Sequence, residues 1–102
     1  MTKLSRAAIG RGLKAQKGWK FSKNALVRVF SFRSFPDVVA FITRLAFEAE
    51  AADHHPDLQI SYTEVTVSWS THSEGGVTAK DFVGATQTDI VARRIGIVRS
   101  RK

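Results

Sequence analysis

Residues 34–56 read SFPDVVAFITRLAFEAEAADHHP, and this stretch decides the fold. Val38, Phe41, Ile42, Leu45, Ala46 and Ala49 fall at i, i+3, i+4, i+7, i+8 and i+11, one apolar stripe at helical period. Ser34-Phe35-Pro36-Asp37 is a helix start. Proline is tolerated in a first turn, and an acid there suits the positive end of the helix dipole. Pro56 ends the helix by about His55, because the residue before a proline avoids the helical region.

The flanking segments supply what such a helix packs against. Residues 26–32 are rich in β-branched and aromatic side chains and read as a strand. Residues 59–71 read as a second, single strand of alternating character. Val65, Val67 and Trp69 face one side, and Tyr62, Glu64, Thr66, Ser68, Ser70 and His72 the other. Ser73-Glu74-Gly75-Gly76 is a loop. Thr78 with Asp81 three residues on is a capping box that opens a helix to about Arg94, with Phe82, Ala85, Thr86 and Ile90 inward. Residues 4–15 carry a weaker helical pattern, interrupted by Gly10 and Gly12. Gly18-Trp19 turns into an extended stretch. The order helix, strand, helix, strand, helix predicts an α+β domain, a small antiparallel sheet covered on one face by helices.

A chain of 102 residues is expected to form one domain, residues 1–102, with a basic tail from about residue 95 that frays. Hydrophobic residues at 43% and charged residues at 25% place it in the globular class. The absence of cysteine excludes a disulfide scaffold, a thiolate zinc site, an iron–sulfur cluster and a cysteine nucleophile. The apolar runs are too short for a membrane span, and none follows the first positive charges as in a secretory leader. A cytoplasmic location is the expectation.

The net charge of +7 is unevenly laid out. Residues 1–36 hold nine Lys/Arg and no acid, residues 37–91 hold nine acids and two bases, and residues 92–102 hold five bases and no acid. Such an imbalance can mark nucleic-acid binding, but it also keeps a small domain soluble or joins neighbouring subunits. No helix-turn-helix spacing, aromatic–glycine RNA-binding signature or zinc finger accompanies it, so a nucleic-acid partner is not expected.

The three histidines are grouped. His54 and His55 close the main helix, and His72 follows the second strand. Glu50, Asp53 and His54 would share one helix face, and a carboxylate beside an imidazole raises its basicity and fixes its tautomer. Three readings stay open on these residues alone: a helix C-cap, a metal site, or acid–base catalysis near neutral pH. The metal reading requires His55 to leave the helix, since adjacent helical residues diverge by about 100°.

The pattern Glu50-x3-His54-His55-Pro56-x5-Tyr62-x9-His72-x8-Asp81 resembles the signature of the pterin-4a-carbinolamine dehydratases. Phe30-Ser31-Phe32-x2-Phe35 resembles the family's aromatic segment before the helix. Thr71-His72 followed by Gly75-Gly76-Val77-Thr78-x2-Asp81 resembles its threonine–histidine loop. The resemblance covers roughly Trp19 to Ala92. Val77 stands where leucine is usual, and Trp69 where a smaller aliphatic is common.

The resemblance implies a four-stranded antiparallel sheet with three helices packed on one face, assembled as a homodimer or homotetramer. It implies dehydration of a 4a-hydroxytetrahydropterin to quinonoid dihydropterin, with no metal and no organic cofactor. His54 and His72 would be the acid–base groups, and His55 a binding or second proton-transfer group. Glu50 and Asp53 would orient or charge-tune the histidines, and Asp81 would hold His72. Trp19, Tyr62 and Thr71 are pocket candidates, the first two reading more readily as packing. The same fold could instead serve as a non-catalytic module that binds a protein partner, as a transcriptional cofactor does.

Overall fold

The computed structural model describes residues 2–99. Helix α1 spans Arg6–Leu13, capped by the Ser5 hydroxyl, which accepts the Ala8 N–H. Strand β1, Lys20–Ser22, turns through Lys23 and Asn24 into β2, Ala25–Phe32. Both turn residues have positive φ, 48° and 67°, the backbone twist that suits a two-residue hairpin. Helix α2 spans Phe35–Ala52. Strands β3, Asp57–Ser61, and β4, Glu64–Trp69, follow. A 3-10 turn at His72–Glu74 leads to helix α3, Ala79–Ile95, and strand β5, Ile97–Val98.

All strand pairings are antiparallel, in the order β1-β2-β4-β3. Ser31 of β2 pairs with Glu64 of β4 and also with Val98 of β5, so β5 shares the β2 edge used by β1. The result is the expected α+β fold: three helices and an antiparallel sheet, with the short fifth strand added. Of the tail expected to fray from about residue 95, Ile95 ends α3 and residues 97 and 98 form that strand; residues 100–102 lie outside the described residues.

The helix read from residues 34–56 forms as its pattern requires. Ser34 caps it by accepting the Asp37 N–H, and Val38, Phe41, Leu45 and Ala49 are buried. Phe41 packs against Phe30 and Phe32 of β2, with ring centroids 5.5 and 4.9 Å apart. Phe35, the first residue of α2, stays half-exposed.

Two expectations are corrected. Residues 59–71 are not one strand. Tyr62, with φ of 58°, and Thr63 make a turn, so the segment folds into the β3–β4 hairpin with Asp57 opposite Ser68. Val65, Val67 and Trp69 do share the buried face. The inner face of α3 is also rotated from the predicted one. Gly84, Ala85, Thr88, Val91 and Ala92 are buried, while Thr86 is exposed. The cause is Trp69. Its indole N–H donates to Thr88 Oγ1 at 2.9 Å, and the Thr88 hydroxyl donates back to the Gly84 carbonyl at 2.7 Å. A Cβ on Gly84 would sit 2.6 Å from the indole, so only glycine lets helix and ring approach this closely. Gly84→Ala is therefore expected to lower stability by about 1–3 kcal/mol through overpacking, read by thermal or urea unfolding; unchanged stability would mean that Trp69 is not seated on α3.

A second buried polar cluster closes the other end of α3. The Trp19 indole N–H points between both oxygens of Asp89 at 3.0 Å, and the Arg28 guanidinium donates to one of them at 2.8 Å while lying 4.5 Å over the Phe30 ring. Trp19 is thus core, as its packing alternative held. Burial pushes the Asp89 carboxyl above its ordinary value of 3.8, against the opposing pull of Trp19 and Arg28. A carboxyl raised on folding binds its proton more tightly in the native state, so its contribution to stability falls as pH rises from 3.8 through the raised value. Asp89→Asn removes this dependence. The stability advantage of wild type over Asp89→Asn should therefore shrink across that window in paired unfolding curves, and a constant or growing advantage would contradict the assignment.

Candidate active site

The β3–β4 hairpin is what returns the chain from His54 to Thr71, whose hydroxyl shares the Asp81 carboxylate with the His54 ring. His54 and His55 stand just before β3. The chain runs out along β3, turns, and returns along β4 with Ser68 opposite Asp57. Thr71 and His72 therefore emerge beside the segment that carries His54.

His54 is held on two sides. Its Nε2 lies 2.6 Å from Asp81 Oδ1, and its ring leans on the Trp69 indole at 5.3 Å between centroids. Asp81 is fully buried. Its other oxygen accepts the Thr78 N–H and the Thr71 hydroxyl, each at 2.8 Å. Thr71 and Thr78 join their own hydroxyls at 2.8 Å, and Thr78 Oγ1 accepts the Lys80 N–H. The donor roles follow. Thr71 gives its proton to the carboxylate, so the Thr78 hydroxyl donates to Thr71. A carboxylate oxygen accepts, so the His54 proton sits on Nε2 and leaves Nδ1 to act as acceptor.

The capping box expected at Thr78 and Asp81 is present, and one carboxylate serves both the helix N-terminus and the imidazole. Asp81 therefore holds His54, not His72. The expected face of Glu50, Asp53 and His54 is likewise revised. The helix stops at Ala52 because Asp53 turns left-handed, with φ of 52°. Glu50 then pairs with His55, Oε1 to Nε2 at 2.8 Å, on the exposed surface. Asp53 acts as the helix C-cap. His72 is exposed in its 3-10 turn.

His54 also lines a cavity of about 200 Å³ between α2 and α3. Leu45, Ala49, Trp69 and Val83 give it an apolar wall, and Glu48, Lys80 and Gln87 add polar groups. Of the pocket candidates, Thr71 reaches the site through Asp81. Trp19 does not, being committed to Asp89, and neither does Tyr62, which is 87% exposed at the tip of the hairpin. Two contributors were not read as site residues from the sequence. Trp69 stood out only as an unusual residue for its strand, and Thr78 only as a helix cap. Among the described residues, no group of three His, Asp or Glu side chains is arranged to hold a metal ion. No helix among them is long and apolar enough to cross a membrane.

Known proteins resemble this chain in sequence and fold. A protein of Chloroflexus aurantiacus, provisionally named a pterin-4-alpha-carbinolamine dehydratase, is 44% identical over 89 residues, 87% of this chain and 96% of that one. A Roseiflexus protein with the same provisional name is 47% identical over 88 residues, 86% of this chain and 95% of its own length. The crystal structure of a transcriptional coactivator/pterin dehydratase from Brucella melitensis superposes with a TM-score of 0.86 at 33% identity, covering 89% of this chain and 99% of that one. A pterin dehydratase-like protein identified as a RuBisCO assembly factor in the alpha-carboxysome shares the fold, with a TM-score of 0.60 at 23% identity over 72% of this chain and 86% of that one. The sequence profile of the Pterin 4 alpha carbinolamine dehydratase family matches residues 2–91, and the chain belongs to that family.

Proposed function

We propose that this protein is a 4a-hydroxytetrahydropterin dehydratase, a hydro-lyase of pterin-cofactor recycling that works in the cytoplasm by histidine acid–base chemistry. The observation that carries the reading is His54, fixed by the buried Asp81 at the edge of an apolar cavity. The reaction adds one proton to the leaving C4a hydroxyl and removes one from a ring nitrogen, so that water departs and a C=N bond forms. Neither step needs a metal or a redox partner.

His54 is the proposed base. Its Nδ1 takes the ring proton, and Asp81 stabilises the imidazolium that forms, as a buried carboxylate does for a catalytic histidine. His72, exposed and unencumbered, is the proposed acid for the leaving hydroxyl. His55, backed by Glu50, binds the pterin or relays a proton. Trp69 offers a flat wall for the heterocycle.

His72→Ala and His54→Ala are each expected to slow decay of freshly generated 4a-hydroxytetrahydropterin by roughly 10²–10⁴-fold relative to wild type, followed by ultraviolet absorbance. A folded His72→Ala protein with full activity would overturn the assignment. A folded wild type that gives no acceleration would favour the second reading, a protein-binding module. The Brucella melitensis neighbour is titled with both roles.

The family resemblance also implies a homodimer or homotetramer. Exposed Val39 and Phe47 on α2, and Leu58 and Ile60 on the edge strand β3, support that assembly. Light scattering should give a multiple of 11.3 kDa, and a monomer at micromolar concentration would count against it.

A further inference from the structure

The two acid-free ends of the sequence meet in the fold. Residues 12–17, at the end of α1 and beyond it, lie against the outer side of α3 and the start of β5, leaving a groove of about 890 Å³. Lys14, Lys17, Arg28 and Arg93 line it, and Asp89 is the one carboxylate among the lining residues. That carboxylate is hydrogen-bonded to Trp19 and Arg28, and its charge acts on Arg93 only at longer range. Lys14, Lys17 and Arg93 are exposed, and among the described residues none has a carboxylate within ion-pair distance. Charge of one sign in a concave site focuses the field and draws in the opposite ion.

The groove is also fastened. Gln16 sits between Lys14 and Lys17, and its side-chain amide donates to Thr86 Oγ1 at 2.8 Å and to the Phe82 carbonyl at 3.4 Å. On the inner side, Gly12 rests on the Phe82 ring, where a Cβ would come within 2.6 Å. Lys14 and Lys17 therefore line the same groove as Arg93 of α3. Several like charges in one concavity suit a ligand that carries several of the opposite sign. Gln16, the one neutral side-chain amide in the lining, is already occupied by α3, so recognition rests on charge spacing and not on base or side-chain readout.

We infer that this groove binds the phosphodiester backbone of single-stranded nucleic acid. The sequence lacks a known nucleic-acid motif, and charge convergence requires none. Phosphates offer one negative charge per nucleotide whatever the sequence, and Lys and Arg release the condensed counterions. A flexible single strand can bend into such a concavity, whereas duplex DNA is stiff over about 150 bp.

The test is fluorescence anisotropy of a labelled twelve-nucleotide oligo-dT at about 50 mM salt. Three phosphate contacts should give a slope of log K against log salt of about −2, and the triple variant Lys14→Gln, Lys17→Gln, Arg93→Gln should lose at least about tenfold in affinity. Arg44→Gln, on α2 and paired with Glu48, should bind as wild type does, which separates the groove from net charge. Amide shifts in the wild type should move at residues 12–17 and 93–97 on titration, a readout that stands even if the triple variant fails to fold. Absence of binding, equal affinity in a folded triple variant, shifts located elsewhere, equally tight binding of a glutamate peptide of the same charge, or binding of inorganic polyphosphate without the oligonucleotide would each overturn the inference.

Discussion

A buried carboxylate has to be surrounded by donors, and at Asp81 that demand organises the molecule. Its oxygens gather the Thr78 backbone at the start of α3, the Thr71 hydroxyl beyond the end of β4, and the His54 ring just after α2. The ends of α2 and β4 and the start of α3 are thereby tied to one point. Leaving such a group short of a partner costs about 1–3 kcal/mol, and more when it is charged. The seating of the His54 ring and the start of α3 thus rest on the same few hydrogen bonds.

Trp69 extends this constraint into the core. One face of the indole supports His54, its N–H is anchored on Thr88, and its ring occupies the space that Gly84 leaves. Helix α3 presents small and polar residues inward because a large ring already fills that layer. A reading by apolar periodicity places Phe82 and Ile90 inside; the structure leaves both only partly buried. Periodicity measures how apolar a face is, and it cannot register a glycine whose value lies in having no side chain.

The same distinction separates what the sequence discloses from what it conceals. Helix α2 was legible because cap, stripe and proline all point one way. Strands β2 and β4 were legible from β-branched and aromatic content. The hairpin at Tyr62 was not, because neither Tyr62 nor Thr63 is a turn-forming residue, yet Tyr62 adopts a positive φ that tyrosine seldom takes. Missing that turn left no route by which Thr71 could return to the side of His54. For the site, histidines and acids were identified by type and spacing, but their pairing was exchanged: Asp81 took His54, and Glu50 took His55. Spacing along a helix predicts neighbours only while the helix lasts, and Asp53 ends it two residues before His55.

The double service of Asp81 bears on how such a sequence drifts over time. A descendant without the proposed chemistry would still need Asp81, Thr71 and Thr78 to close the start of α3, so these positions report inheritance of the fold. The exposed His72 and His55 hold up no part of the core, and selection on stability alone leaves them free to change. Among sequences of this shape, the surface histidines are thus the ones whose loss marks the point at which one trade was given up for another.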